Sequence, residues 1–260
     1  MPARPALLVL PDADGVYGAA ARLIADGLAA AIDARGVAHW STTGGSAAPG
    51  IYRALRAAPL RHALDWSRVH TWWGDDRYVL PGDPLSNVTP FTDVMLDPAA
   101  GLVIPDANIH PITGPIMVAY KWANPAWLAE AYASQLKHDV GHPEVMDGLP
   151  VFDLIILGVG PDGHILSVFP GSTVFDSDAW VESVPAPTHV EPHVPRVTVN
   201  PRLVAAARSV LVLTAGASKA DVLARAWAGG DVRELPVRAT LLPQATWVLD
   251  EAAATGLPGR

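Results

Sequence analysis

Asp162 and His164 stand two residues apart in the glycine-bounded turn Gly160-Pro161-Asp162-Gly163-His164, directly after an apolar run at 152–157. An aspartate this close can orient an imidazole and raise its basicity, which is what a general base working near neutral pH requires. The run FDLIIL is nearly all large and apolar, as expected of a strand covered on both faces in a parallel sheet, and Gly158, Gly160 and Gly163 end it. In open α/β sheets ligands bind just past the carboxyl ends of strands, so the aspartate and histidine sit where chemistry is expected.

Three further strand ends carry polar groups. Gly44-Gly45-Ser46 follows a strand at 37–43 and precedes a helical pattern introduced by Pro49. Backbone N–H groups and the helix dipole suit such a turn to a phosphate or a developing oxyanion, although a plain tight turn has the same composition. Gly74-Asp75-Asp76-Arg77 follows the strand at 69–73, and two carboxylates beside an arginine imply pairing with each other or with a ligand. Lys219 falls in the first turn of a helix after the strand at 209–213, where its charge opposes the helix dipole unless an anion is bound.

Several other chemistries fail on context. Gly158-Val-Gly160-Pro-Asp-Gly163 matches a dinucleotide fingerprint, yet Pro161, Asp162 and His164 interrupt the helix that should begin there. Residues 176–178, where the acidic ribose ligand would fall, lie in a polar loop. His138 and His142 lack the glutamate of a zinc protease, and His189 and His193 lie among prolines, so both pairs read as solvated surface histidines. No Gly-x-Ser-x-Gly elbow precedes a suitable helix. The absence of cysteine removes disulfides, thiolate nucleophiles and zinc-thiolate sites together. A net charge of -8 repels nucleic acid and anionic lipid, so an anionic substrate needs local Arg and Lys to overcome that field.

The elements that must position these groups alternate between strand and helix. A strand at 6–10 is followed by a one-sided helical pattern through Val16, Ala20, Leu23, Leu28 and Ile32, and the helix after Asn87 carries Phe91, Val94, Met95 and Leu96. Residues 101–118 read as connection, 119–140 as a helix stopped by Gly141 and Pro143, and 173–195 as a long surface loop of the kind that forms lids. Strands at 196–200 and 245–249, with a short helix opened by Pro201 between them, complete the pattern. With 260 residues, half of them hydrophobic, and no linker, the expectation is one α/β domain over 1–260. Its fold class is a mostly parallel, Rossmann-like (modified doubly wound) sheet with helices on both faces. No apolar run approaches the ~18–20 residues of a membrane span and the N-terminus does not read as a signal peptide, so a cytoplasmic protein is expected, monomer or dimer left open.

Taken together, Gly44-Gly45-Ser46, Gly74-Asp75-Asp76-Arg77 with Ser86-Asn87, FDLIILGVGPDGH through Phe169-Pro170-Gly171, Pro195-Arg196-Val-Thr and Gly216-Ala-Ser-Lys219-Ala resemble the 6-phosphogluconolactonase family. That family belongs with the glucosamine-6-phosphate isomerases and deaminases. The chain departs from it at Ile165-Leu166, where small residues are usual, and at Ala47-Ala48-Pro49, where Thr-Pro commonly follows the glycines. The resemblance implies hydrolysis of a sugar-phosphate lactone, 6-phospho-D-glucono-1,5-lactone, with His164 as base and Asp162 orienting it. Phosphate and substrate would be held by Gly44, Gly45, Ser46, Asp75, Arg77, Arg196 and Lys219, with no metal or organic cofactor and neither nucleic acid nor membrane as partner. Aminosugar isomerases of this superfamily carry a glutamate five residues after the histidine. Phe169 in that place argues against the alternative of an isomerase or deaminase, and the acidic charge argues against a sugar-phosphate-sensing regulator.

Overall fold

The computed structural model describes residues 4–120, 123–138 and 142–258. In chain order its elements are β1 (Ala6–Leu10), α1 (Ala13–Arg35), β2 (Ala38–Thr42), α2 (Ala48–Arg56), β3 (Val69–Trp73), β4 (Asp75–Arg77), α3 (Thr89–Met95), β5 (Ile109–His110), α4 (Pro115–Ala119) and α5 (Pro125–His138). There follow β6 (Glu144–Met146), β7 (Leu149–Val151), β8 (Leu154–Gly158), β9 (Val181–Val184), β10 (Arg196–Val199), α6 (Pro201–Ala206), β11 (Val210–Thr214), α7 (Ala220–Trp227) and β12 (Ala245–Asp250). Seven strands form one sheet in the order β1-β12-β11-β8-β2-β3-β5, and every pairing in it is parallel. β2, β3 and β11 are buried along their whole length; β11 reads as an apolar run, while β2 and β3 mix tryptophan with buried His, Ser and Thr.

Alternation along the central strands sorts the two layers. Trp40 and Trp73 pack against Phe91 of α3, which meets Tyr52 of α2 edge-on, while Trp72 on the opposite face meets Tyr132 of α5. α1 joins the α2 side, held at its start by Asp12, whose carboxylate accepts from the Gly15 amide. This 23-residue helix is long and apolar enough by composition to cross a membrane, unlike the expectation from the sequence. Its stripe of Val16, Ala20, Ile24 and Leu28 is nevertheless fully buried against the sheet, as the core helix of a globular domain should be.

β2 and β8 lie side by side. From β2 the chain builds outward through β3 and β5, and from β8 it builds the other way through β11 and β12, so the order reverses between them. A crevice opens at the carboxyl ends of strands at such a reversal. The turns leaving β2 and β8 are Gly44-Gly45-Ser46 and the Asp162-His164 segment.

A second, antiparallel sheet, β4-β10-β9, stands over that end and was not foreseen. Only Gly74 separates β3 from β4, and a Cβ there would lie 2.5 Å from Cδ2 of Leu166, so a side chain at this turn would require Leu166 to shift. Leu166 itself holds a left-handed backbone, φ 56, costly for a residue with a Cβ. The segment 173–195, expected to be loop, contains β9, whose Val181 is buried against β10. The helix expected from residue 119 begins at Pro125. Its proposed end at Val140 and Gly141 lies outside the described residues. Lys219 occupies the N-cap position of α7, one residue before the helix proper.

Candidate active site

β8 ends at Gly158 and the chain turns through Gly160 to Gly163, its amides and carbonyls closing on themselves: Gly163 N donates to Gly160 O at 3.1 Å and Gly160 N to His164 O at 2.8 Å. This fold of the backbone brings the His164 ring against Gly160, where a Cβ would lie 2.1 Å from Nδ1 and Cε1. Glycine is therefore required for the imidazole to sit where it does. On its other side the ring meets Phe169, centroids 4.7 Å apart. His164 Nδ1 lies 2.5 Å from Oδ1 of Asp162, which also accepts from the His164 amide at 3.2 Å. The pairing assigns the proton to Nδ1 and leaves Nε2 as the basic nitrogen. Burial alone would raise the Asp162 carboxyl. The hydrogen bond and charge of His164, with a second hydrogen bond from His189, more than offset it and hold the group well below the usual carboxylate range, so it is an anion at neutral pH.

In front of this pair opens a cavity of about 490 Å³. Of the residues expected at the site, Gly44, Gly45, Ser46, Asp75, Arg77, His164, Arg196 and Lys219 all line it, and Asp162 stands behind His164. Arg77 and Arg196 are brought there by the antiparallel sheet, as directly opposed partners of β4 and β10. Two like charges facing one another across a ladder are unfavourable, and burial first, then Arg77, lowers the Arg196 guanidinium from its ordinary value, with Asp75 and Asp76 opposing. The Nε of Arg77 is buried without a partner, and its Nη1 donates to Leu85 O at 2.7 Å. Lys219 is likewise lowered by burial, with Asp162 opposing.

Two helices begin at the same cavity, α2 behind Ala47 and α7 behind Lys219, and neither N-terminus has a side-chain cap. Their positive dipole ends add to the three cations. A set of this kind suits a phosphate dianion, through charge-assisted bonds to guanidinium and ammonium and through backbone amides.

The Gly74-Asp75-Asp76-Arg77 cluster divides in function. Asp76 is wholly buried and accepts from Ser86 Oγ, Thr113 Oγ1 and the amides of Asn87 and Arg77. Burial pushes its carboxyl up to about 6 despite these donors, and its work is to tie the 86–88 turn to β4. Asp75 faces the cavity, held by Ser167 Oγ at 2.6 Å and Asn87 Nδ2 at 3.1 Å. Neither carboxylate forms a salt bridge with Arg77 among the described residues. Arg196 differs from a free phosphate ligand, since its Nη2 donates to Pro192 O at 2.8 Å and its Nε to Val194 O at 3.3 Å, so part of its donor set fastens the 192–194 segment.

Reading the sequence alone missed several wall residues. Val190 and Glu191 come from the 173–195 segment, Thr214 from the end of β11, and Val16 and Tyr17 from the start of α1. Asn87 was recognised as part of a motif without a role, and its Oδ1 is buried without a partner at the cavity wall. His189, taken for a solvated histidine, reaches Asp162 Oδ2 at 2.9 Å.

The sequence model for glucosamine-6-phosphate isomerases/6-phosphogluconolactonase matches residues 11–249. The chain is 35% identical over 261 positions to 6-phosphogluconolactonase of Streptomyces coelicolor, covering 98% of this chain and 95% of that one. It is 32% identical to 6-phosphogluconolactonase of Mycobacterium tuberculosis, over 96% and 97% of the two chains. Among solved structures, 6-phosphogluconolactonase from Trypanosoma brucei superimposes with a TM-score of 0.79 at 27% identity, covering 98% of this chain and 99% of the other.

Proposed function

The chain belongs to the glucosamine-6-phosphate isomerase/6-phosphogluconolactonase family, and from that premise we propose that it hydrolyses 6-phospho-D-glucono-1,5-lactone to 6-phospho-D-gluconate, the second step of the oxidative pentose phosphate pathway, using His164 as its base. The observation that carries this reading is the placement of one oriented imidazole on the wall of a cavity that also gathers Arg77, Arg196 and Lys219.

The phosphate is held by Arg77, Lys219 and the N-termini of α2 and α7, with Arg196 adding charge behind them. This anchoring brings the lactone ring toward His164. Nε2 takes a proton from a water molecule as its oxygen bonds to C1, while Asp162 stabilises the imidazolium that forms. The tetrahedral intermediate then collapses. The bond from C1 to the ring oxygen breaks, Nε2 gives its proton to that oxygen, and the imidazole ends neutral, as it began. A lactone is an activated ester, so the sequence of steps needs no metal or organic cofactor.

Phe169 supports hydrolysis over sugar isomerisation. It lies against His164 at the position where the isomerase branch has a glutamate, and an apolar ring cannot shuttle a second proton. Proton transfer by a placed base typically contributes ~10²- to 10⁴-fold, so His164→Ala should lower kcat by about that factor with its circular dichroism unchanged. The assay follows lactone loss in a coupled format, with spontaneous hydrolysis subtracted. A wild-type kcat in the variant would overturn the assignment.

A further inference from the structure

We infer that His189 is a positioning residue for this reaction: it grips the second carboxylate oxygen of Asp162 and seats the 187–193 segment over the catalytic imidazole. The inference rests on the role proposed for His164. Asp162 spans two imidazoles, with Oδ1 2.5 Å from His164 Nδ1 and Oδ2 2.9 Å from His189 Nε2. A carboxylate bound through one oxygen can swing about its last side-chain bond, and a donor on the other oxygen fixes its plane. His189 also meets Phe169 edge-on, centroids 5.6 Å apart at 80°, so one ring separates the two histidines and touches both.

The segment that carries His189 is built to hold it there. Arg196 donates to the carbonyls of Pro192 and Val194 and lies over the Phe169 ring, 5.7 Å from its centre. Inside the segment, His193 Nδ1 donates to Pro187 O at 2.7 Å and its Nε2 lies 3.0 Å from Glu191. Val190 and Glu191, next along the chain from His189, line the cavity. The cap over the base is thus closed by a side chain that touches the base's own partner. The 173–195 segment acquires a role here: it covers the site and reports to Asp162 through one hydrogen bond.

Loss of the His189 donor frees Asp162 to turn, and the ring it orients turns with it. The charged and titratable groups facing the trio are His164 and Lys219 on the Asp162 side, Glu191 and His193 in the covering segment, and Arg196 across Phe169. None of them is changed in the two His189 variants. His189 is half exposed, so its replacement leaves the buried core intact.

The test compares His189→Phe, which keeps an aromatic ring beside Phe169 and removes the donor, with His189→Gln, which keeps an N–H at similar reach and removes the ring. A hydrogen bond to a charged group is worth about tenfold or more in rate when it acts on the transition state. His189→Phe should lower kcat about tenfold while KM changes little. His189→Gln should recover most of kcat. A His189→Phe enzyme with wild-type kcat overturns the inference, and so does a His189→Gln enzyme as slow as His189→Phe. His164→Ala measured beside them separates the two levels. If it loses activity while His189→Phe does not, only the inference about His189 falls. If it keeps wild-type kcat, the base assignment falls and this inference with it.

Discussion

Replacing Arg77 by methionine separates substrate anchoring from structural support, because the two effects have opposite signs. Arg77 sits directly across the β4-β10 ladder from Arg196, and both line the cavity with Lys219. Without a ligand the pair repels, and like charges directly opposed cost about 0.2–1 kcal/mol. Methionine keeps most of the stem's packing, removes the repulsion and loses the bond from Nη1 to Leu85 O. These changes nearly cancel, so the unliganded protein should keep its stability to within about 1 kcal/mol. With the phosphorylated lactone the balance reverses. Hydrogen bonds to charged groups contribute about 1.5–3 kcal/mol each, and a tenfold change corresponds to about 1.4 kcal/mol. KM for the phosphorylated lactone should therefore rise on the order of 10- to 100-fold, with kcat/KM for the unphosphorylated lactone little changed. The product 6-phosphogluconate gives a second readout, since a ligand at 100 times its Kd stabilises by about 2.7 kcal/mol and the variant should lose most of that thermal shift at the same concentration. Equal losses on the two lactones, or an unliganded protein destabilised enough to explain the lost activity, would refute the phosphate role of Arg77.

Two further expectations follow from other parts of the molecule. Gly160→Ala places a Cβ where the His164 ring lies and should cut kcat at least tenfold with far-ultraviolet circular dichroism preserved, whereas wild-type activity would show that the ring has room to move. On the α5 face, His39, His70 and His110 pack in a row with Trp72, and burial first, then the neighbouring imidazoles, lowers His39 to about 3 and His110 to about 4, His70 also being lowered by burial. The fold keeps them neutral while the unfolded chain takes up protons near 6.5, so their stabilisation is present above pH 6.5 and is lost as pH falls toward 4. Each of His39 and His110 loses up to about 2 kcal/mol by pH 5, and Asp76, raised to about 6, returns roughly 1 kcal/mol over the same range. The urea midpoint should fall between pH 7 and pH 5, and a midpoint that stays level would contradict the neutral cluster.

The parts of the site legible in the sequence were those where one short segment carries its own reason. An apolar run ended by glycines marks a buried parallel strand and the turn after it, so 152–164 identified itself, and at 37–46 the Gly44-Gly45 break marked the strand end. What stayed hidden depended on pairing between distant segments. β4 is three residues, Asp-Asp-Arg, with no apolar pattern, and it is a strand only because β10 lies against it. β9 lies in a stretch rich in proline, histidine and acid whose local composition favours loop, and the ladder with β10 overrides it. The opposition of Arg77 and Arg196 is a matter of register between chain positions 119 residues apart, which no local motif encodes. His189 was hidden for the same reason, since its only signal is a carboxylate 27 residues earlier.

Position 169 ties the site's selectivity to its architecture. Phe169 is nearly buried, and its ring is shared by His164, His189 and the guanidinium of Arg196. A carboxylate in that place would stand beside Arg196 in a poorly solvated site and would take the guanidinium as its partner, drawing it from the carbonyls of Pro192 and Val194 that it now fastens. The aromatic ring makes no such demand and leaves Arg196 to hold the covering segment. In the proposed mechanism it leaves His164 to carry the proton without a partner at position 169, with Nδ1 committed to Asp162. One nitrogen that takes a proton from water and returns it to a leaving oxygen suffices for opening a lactone. Moving a proton between two carbons of a sugar asks for a second group, and on the proposed reading the residue in that place instead packs the His164 ring and leaves Arg196 to fasten the 192–194 segment.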